Sequence, residues 1–248
     1  MQNLNYGVIG NCSTAALISE KGAIEWLCFP EFDSPSVFAA ILDRQKGGHF
    51  GFKVTSDYKV TQSYVPHTNI LSTHFESEEG AFDVVDFMPC YPTSDGKDFY
   101  RPAEIYRYIR WAKGRPRMKV DYRPAPNYAR GKTIYNVTSQ YVETYSSVEN
   151  KDRQYLYSSL DLKKVVNHDE ITLEKDEFFL FSFNEKVIPV DIEREKLEYC
   201  RTLVYWLNWT DHAKRYTRYN EVIERSMLVL KLMTYRNGAV MAAVTTPP

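Results

Sequence analysis

Four carboxylates in the first ninety residues, Glu25, Asp33, Asp43 and Asp86, are the candidates for acid and base work. Such chemistry needs one carboxyl held neutral and another held charged, and sequence alone does not pair them. At strand ends and turns, carboxylates commonly cap backbone N–H groups or stay solvated. Asp33 has the richest surroundings. Phe32-Asp33-Ser34-Pro35-Ser36 gathers a ring, a carboxylate and two hydroxyls in one short loop, which suits the rim of a sugar site. The competing reading is an Asx-turn or helix cap at Asp33 with Phe32 buried. Other chemistries are poorly supplied. His49, His67, His74, His168 and His212 lack HxxxH or HxH spacing, and Cys12, Cys28, Cys90 and Cys200 lack CxxC spacing, so neither a metal nor a cofactor is expected. The cysteines read as reduced thiols. Ser13 and Ser34 lie outside any nucleophile elbow, and there is no Gly-rich phosphate loop.

The elements that must hold these residues read as strands. From Gly7 to about Val190, short alternating or apolar runs are separated by turn signals, the pattern of antiparallel hairpins. Glu20-Lys21-Gly22 separates 15–19 from 23–29, Glu78-Glu79-Gly80 separates 69–77 from 81–88, and Lys113-Gly114-Arg115-Pro116 separates 106–112 from 118–122. Each predicts a hairpin, with glycine supplying positive φ. Further strand-like runs fall at 133–145, 155–162, 170–173 and 177–183. So many short strands without interleaved amphipathic helices predict a mainly β fold, an antiparallel two-sheet β-sandwich. One interruption, a short helix or a turn, is expected at Ser34–Leu42, where Pro35 suits a first helical turn and Val37, Phe38 and Ile41 share a face.

After Pro189 the period becomes helical. Ile192, Leu197, Cys200, Leu203, Val204 and Leu207 predict one amphipathic stripe, thickened by Trp206 and Trp209. A second helix is expected from about Tyr219 to Tyr235, grouping Val222, Ile223, Ser226, Met227, Leu230 and Met233, with Asn237-Gly238 as its stop. Stripes of this kind must be buried against something, and a β-sandwich followed by two helices offers few partners. A further helical domain, absent from these 248 residues, is therefore expected.

Composition narrows the partners. The 31 Lys and Arg nearly cancel 32 Asp and Glu, so no global field favours nucleic acid or an anionic membrane, and neither is expected as a partner. Without a basic leader or a long apolar span, the chain reads as cytoplasmic. The 19 Tyr, 13 Phe and 4 Trp suit strand packing and also suit stacking on sugar rings.

Several uncommon strings occur together in order. They are Gly7-Val8-Ile9-Gly10-Asn11-Cys12, Thr14-Ala15-Ala16-Leu17-Ile18, Gly22-Ala23-Ile24-Glu25-Trp26-Leu27-Cys28 and Phe32-Asp33-Ser34-Pro35-Ser36-Val37-Phe38. Gly47-Gly48-His49-Phe50, Thr68-Asn69-Ile70-Leu71, Asp86-Phe87-Met88-Pro89 and Tyr128 follow, and Arg225-Ser226, Leu230-Lys231-Leu232-Met233-Thr234-Tyr235, Gly238–Ala243 and Thr245-Thr246 close the series. Together they resemble the front part of bacterial and archaeal family 15 glycoside hydrolases, the glucoamylase/trehalase-like group, over essentially the whole chain. Asn11 and Glu25 depart from the Asp often found at those positions.

The resemblance implies a supersandwich-like β-sandwich at 1–190, a helical linker at 191–218, and the first helix of an incomplete (α/α)6 barrel at 219–248. It implies an enzyme that hydrolyses α-glucosidic bonds with inversion through two glutamates, both lying beyond Pro248. No catalytic residue is then expected here, and the partners would be an α-glucoside or oligosaccharide and the missing C-terminal barrel. The resemblance also places Thr245 and Thr246 near the sugar pocket, alongside Phe32, Asp33 and Ser34, with packing as the other role for the threonines. Trp206 and Trp209 could stack on glucan or pack between domains. The competing overall reading is a stand-alone carbohydrate-binding or interaction module.

Overall fold

The computed structural model describes residues 5–55, 57–148, 151–188, 190–214, 217–235 and 237–244. The described chain runs through β1 (Tyr6–Gly10), β2 (Ala15–Ser19), β3 (Ile24–Cys28), β4 (Ser36–Phe38) and β5 (His49–Lys53). It continues through β6 (Lys59–Tyr64), β7 (Leu71–Ser77), β8 (Gly80–Phe87), β9 (Tyr91–Pro92) and β10 (Phe99–Tyr100). Next come β11 (Glu104–Gly114), β12 (Arg117–Arg123), β13 (Thr133–Val137), β14 (Val142–Ser146) and β15 (Gln154–Ser158). The last elements are α1 (Leu162–Asn167), β16 (Glu170–Thr172), β17 (Glu177–Phe183), α2 (Ile192–Asp211) and α3 (Asn220–Leu232).

Two antiparallel sheets make the expected sandwich. One has the order β1-β2-β3-β5-β12-β16, with β4 added on β3; the other runs β13-β14-β15-β17-β11-β8-β7-β6. Between them lies a core rich in rings, including Phe29, Phe38, Phe50, Phe52, Phe75, Phe82, Phe179 and Phe181. Phe75 and Phe82 stack at 4.7 Å. The sequence of β17, EFFLFSF, is buried at every position. Its Phe179 and Phe181 enter the intersheet core, while Phe178 and Leu180 enter a second cluster with Trp206, Leu228 and Leu232 of the helices. A strand covered on both faces reads as a continuous apolar run, whereas β6 at the sheet edge alternates between exposed and half-buried residues.

A buried ion pair within one sheet places a guanidinium that also reaches the other. Arg107 on β11 donates through Nε and Nη2 to Asp86 on β8 at 2.7 and 3.1 Å. Its Nη1 crosses to the Phe50 carbonyl on β5 at 2.6 Å, and Nη2 also reaches the Gly22 carbonyl in the β2–β3 turn. The Phe50 and Phe52 rings flank the guanidinium at 4.7 and 4.8 Å.

Three local expectations are corrected. Of the short helix or turn expected at Ser34–Leu42, a turn forms at 40–42 and no helix does; Ser36–Phe38 is β4, pairing Leu27 with Phe38 and Cys28 with Ser36. All three β4 side chains are buried, and Ala39 N donates to Gly47 O at 2.6 Å, so tertiary pairing overrides the local helix signal. The turn at 113–116 is not a hairpin. β11 pairs with β8 and β17, and β12 pairs with β5 and β16, so the chain changes sheets there. Gly114, at φ +69, makes the corner, and a Cβ there would stand 2.3 Å from Glu79 O. Finally, the run at 155–162 shortens to β15, which ends at Ser158, and α1 follows from Leu162 with Asp161 accepting from Lys163 N at 2.9 Å as its cap.

The long helices form where their period predicts, and part of each apolar stripe is left uncovered by the sandwich. Asp191 caps α2 by accepting from Arg194 N at 2.8 Å. The buried residues of α2 are Glu195, Glu198, Thr202, Tyr205, Trp206 and Thr210. From its apolar stripe, Leu197 is 48% and Val204 59% exposed; on α3, Val222 is 66% and Leu230 57% exposed, while Leu228 and Leu232 are buried. The sheet face beneath carries Tyr106, Tyr108, Tyr155 and Tyr157, which gives the polar and aromatic side of α2 its seat. Among the described residues, no helix is long and apolar enough to cross a membrane.

Candidate functional site

Three of the four candidate carboxylates have local partners. Glu25 accepts from the Tyr6 hydroxyl at 2.6 Å. Asp43 accepts from Gln45 N and Lys46 N at 2.9 and 3.1 Å, and these bonds hold its pKa below the ordinary carboxylate value. Asp86 is committed to Arg107. Asp33 differs: it is exposed, and among the described residues its carboxylate has no hydrogen bond or ion pair.

The loop around Asp33 is anchored on both sides. Phe32 is buried, its N–H donates to Ser13 O at 3.0 Å, and its ring meets Tyr235 edge-on at 5.3 Å. Ser34, half-buried, closes the turn itself: its Oγ accepts from Glu31 N at 3.0 Å. The Tyr128 hydroxyl donates to Ser34 O at 3.4 Å. Asp33 therefore caps no helix, although the expected burial of Phe32 is present. Its charge is felt by its neighbours. Burial first, then Asp33, raises Cys28 to about 12, and the same order of causes raises Tyr235.

The chain after α3 returns to this loop. Thr234 bridges Val240, Tyr235 N donates to Ala239 O at 2.8 Å, and Gly238 turns at φ +83. Val244 O then accepts from Trp26 Nε1 at 2.5 Å. Phe32, Asp33 and Ser34 thus share one end of the molecule with the segment leading to residue 244. Thr245 and Thr246 lie outside the described residues. The arrangement offers an exposed carboxylate beside the Tyr128 and Tyr235 hydroxyls, groups that can hydrogen-bond a polyol.

A second concavity had no sequence signal. The β9–β10 hairpin and α2 border an open groove of about 830 Å³ lined by Tyr91, Tyr100, Arg194, Glu198, Arg201 and Tyr205 among others. The Tyr91 and Tyr100 rings lie 5.1 Å apart, and the Tyr91 hydroxyl donates to Glu198 at 2.7 Å. Rings beside paired charges fit a sugar face. The i, i+3 spacing of Glu198 and Arg201 was readable as a charged helix side, but nothing linked it to tyrosines a hundred residues earlier. Trp206 is buried against the sheet and Trp209 packs at the margin of the same cluster, so the packing role holds for Trp206. Among the described residues, no three His, Cys, Asp or Glu side chains group as a metal site.

Residues 5–150 match the family profile described as trehalase-like, N-terminal. A trehalase of Thermoplasma acidophilum is 29% identical over 239 residues, covering 93% of this chain and 40% of that protein. A trehalase of Mycolicibacterium smegmatis is 27% identical over 98% of this chain and 40% of that protein. Trehalase 1 of Sulfolobus acidocaldarius is 51% identical over 85 residues, 34% of this chain and 14% of that one. Where the match runs along most of the chain, it spans 39–41% of the relative's length.

Proposed function

The chain belongs to the trehalase-like N-terminal family, and from that membership we propose that it is the non-catalytic front part of a glycosidase of family 15 type, acting with inversion on α-glucosidic bonds. In this reading residues 1–190 brace the catalytic region, 191–218 link to it, and 219–248 open an (α/α)6 barrel that continues in the parent protein. Its substrate is an α-glucoside or oligosaccharide, and its compartment is the cytoplasm.

One observation carries the reading: α2 and α3 turn Leu197, Val204, Val222 and Leu230 to solvent. Apolar helix faces of this extent call for a covering partner. The greater length of the trehalase relatives supports a partner within the same polypeptide. Phe32, Asp33 and Ser34, with Thr245 and Thr246, are proposed to line the rim of the sugar site, and catalytic glutamates are assigned to the barrel.

The test is a glucose-release assay on the purified chain with maltose, maltooligosaccharides and trehalose. No turnover is expected, and hydrolysis above a substrate blank would end the non-catalytic assignment. In the parent enzyme, Asp33→Ala should raise KM or lower kcat; unchanged kinetics in a stable variant would remove Asp33 from the rim. The tyrosine-lined groove favours one second reading, a sugar-binding module that works alone. Reading the coding sequence after codon 248 separates the two, because a barrel with two glutamates supports the first and a stop codon the second.

A further inference from the structure

The outer face of the β5–β12 pair carries more positive charge than its neighbours cancel. In its register Lys53 stands opposite Lys119, Gly51 opposite Asp121 and His49 opposite Arg123. Phe50, Phe52, Val120 and Tyr122 alternate with these residues and enter the intersheet core, so the charged set lies on the other, outward side. Like charges directly across a ladder repel, and the Lys53–Lys119 rung is such a pair. Asp121 alone serves three partners, Arg123 Nε at 2.6 Å, Lys53 Nζ at 2.7 Å and His49 Nε2 at 2.8 Å. Glu170, across from Lys119 on β16, pairs with Arg117 at 3.3 Å instead.

Beside the His49–Arg123 rung lies a groove of about 350 Å³, lined by Arg44, Lys46, Gly48, His49, Arg123 and Thr133 among others, with no Asp or Glu among its described lining residues. The loop that supplies Arg44 and Lys46 is held in place. Asp43 accepts from Gln45 N and Lys46 N, Gly47 N donates to Asp43 O at 2.7 Å, and Ala40 N donates to Gly48 O at 3.1 Å. The Asp43 carboxylate is thus committed to the backbone, and Arg44 and Lys46 enter no ion pair among the described residues. Four permanent cations, Arg44, Lys46, Lys53 and Arg123, therefore meet two carboxylates, Asp43 and Asp121, which leaves two positive charges uncancelled. Arg123 spends Nε on Asp121, and its two Nη groups, without a partner among the described residues, form a fork for a pair of oxygens.

We infer that this groove binds a phosphate dianion, either free or carried by a sugar. The two charges of the ligand match the local surplus. Arg123 donates through its fork to phosphate oxygens, and Arg44 and Lys46 add their charge from a loop whose shape is set before the ligand arrives. The groove lies wholly within this chain, so its test is independent of the glycosidase reading.

The experiment titrates the whole purified chain by calorimetry at fixed ionic strength, in buffer free of phosphate and sulfate, with inorganic phosphate, glucose 6-phosphate, glucose and sodium chloride as separate probes. Expected is saturable binding of at least one phosphate probe and none of glucose or chloride. Tighter binding of the sugar phosphate than of inorganic phosphate marks the ester as the ligand, and no gain from the sugar marks free phosphate. Arg123→Gln combined with Lys46→Gln should weaken binding by at least about tenfold. Lys97→Gln combined with Lys196→Gln removes as much charge from the β9–β10 hairpin and α2, and should leave binding unchanged. All four side chains are exposed, and equal urea midpoints would show that the fold persists. The inference is overturned if neither phosphate probe saturates, if glucose or chloride gives the same response, or if the remote pair of changes costs as much as the groove pair.

Discussion

Glu195 lies fully buried on the sheet-facing side of α2, and neither of its carboxylate oxygens has a hydrogen-bond partner. Burial, and then the charges of Asp86, Glu198 and Glu104, raise its pKa well above the ordinary value; Glu104 nearby is raised to about 7, mainly by burial. A carboxyl with a raised folded pKa keeps its proton while the unfolded chain gives its own up. Its contribution is therefore complete below the unfolded value near 4.5 and is lost as pH rises through the folded one. Each such group gives a slope of up to about 1.4 kcal/mol per pH unit within that window. Glu195→Gln should flatten the decline in urea-unfolding stability between pH 4.5 and 8, gaining on the parent chain at the upper end. Equal slopes in the two proteins would mean Glu195 is solvated. Sequence could not single this residue out. It follows Asp191 in a first helical turn, where a glutamate reads as ordinary support for the helix dipole. Asp33 was readable because aromatic, acidic and hydroxyl residues are adjacent in the chain; Tyr128 and Tyr235 reach it only through folding.

At the scale of elements, Arg107 joins three strands and a turn, so its loss should be felt by the sandwich as a whole. Arg107→Met leaves Asp86 buried without its counter-ion, whether it stays charged or takes up a proton, at a cost of about 3–5 kcal/mol. Adding Asp86→Leu should recover part of that loss, because the pair's own desolvation is then also removed. Urea midpoints of the two variants decide it: a single variant within 1 kcal/mol of the parent would show that Arg107 does not hold the sheets. The strands were largely legible because β-branched and aromatic residues alternate and glycines mark the turns. Partner choice was not legible. Gly114 makes a corner between sheets with the same residues that would make a hairpin, and Pro35 precedes a strand although its neighbours have helical spacing. In both places distant pairing decides, and the local sequence carries no record of it.

For the molecule as a whole, the helices showed their period in sequence but hid which side the sandwich would take. Leu197, Val204, Val222 and Leu230 belong to the stripes expected to dock on a partner other than the sandwich, and they face outward. The tyrosine-rich sheet face accepts a mixed polar and aromatic helix side instead. Exposed apolar faces of this kind promote association of the isolated chain. Sedimentation velocity should show self-association that rises with concentration and is weakened by combining Val204→Glu with Leu230→Lys. Because both sites are exposed, these changes should leave stability within about 0.5 kcal/mol of the parent. A parent chain that stays monomeric at high concentration would refute the need for a covering partner.

The contacts of α3 also govern the order in which this polypeptide can mature on the ribosome. Gly10 approaches Leu232 too closely to admit a side chain, Asn69 Nδ2 donates to Leu228 O at 3.0 Å, and Arg225 donates to Thr68 O at 2.9 Å. Some of the first residues to emerge thus wait for residues made more than 200 positions later. Until then Ile70, Val85 and Phe87 lack their cover, and the nascent sheet presents apolar surface of the kind that favours aggregation.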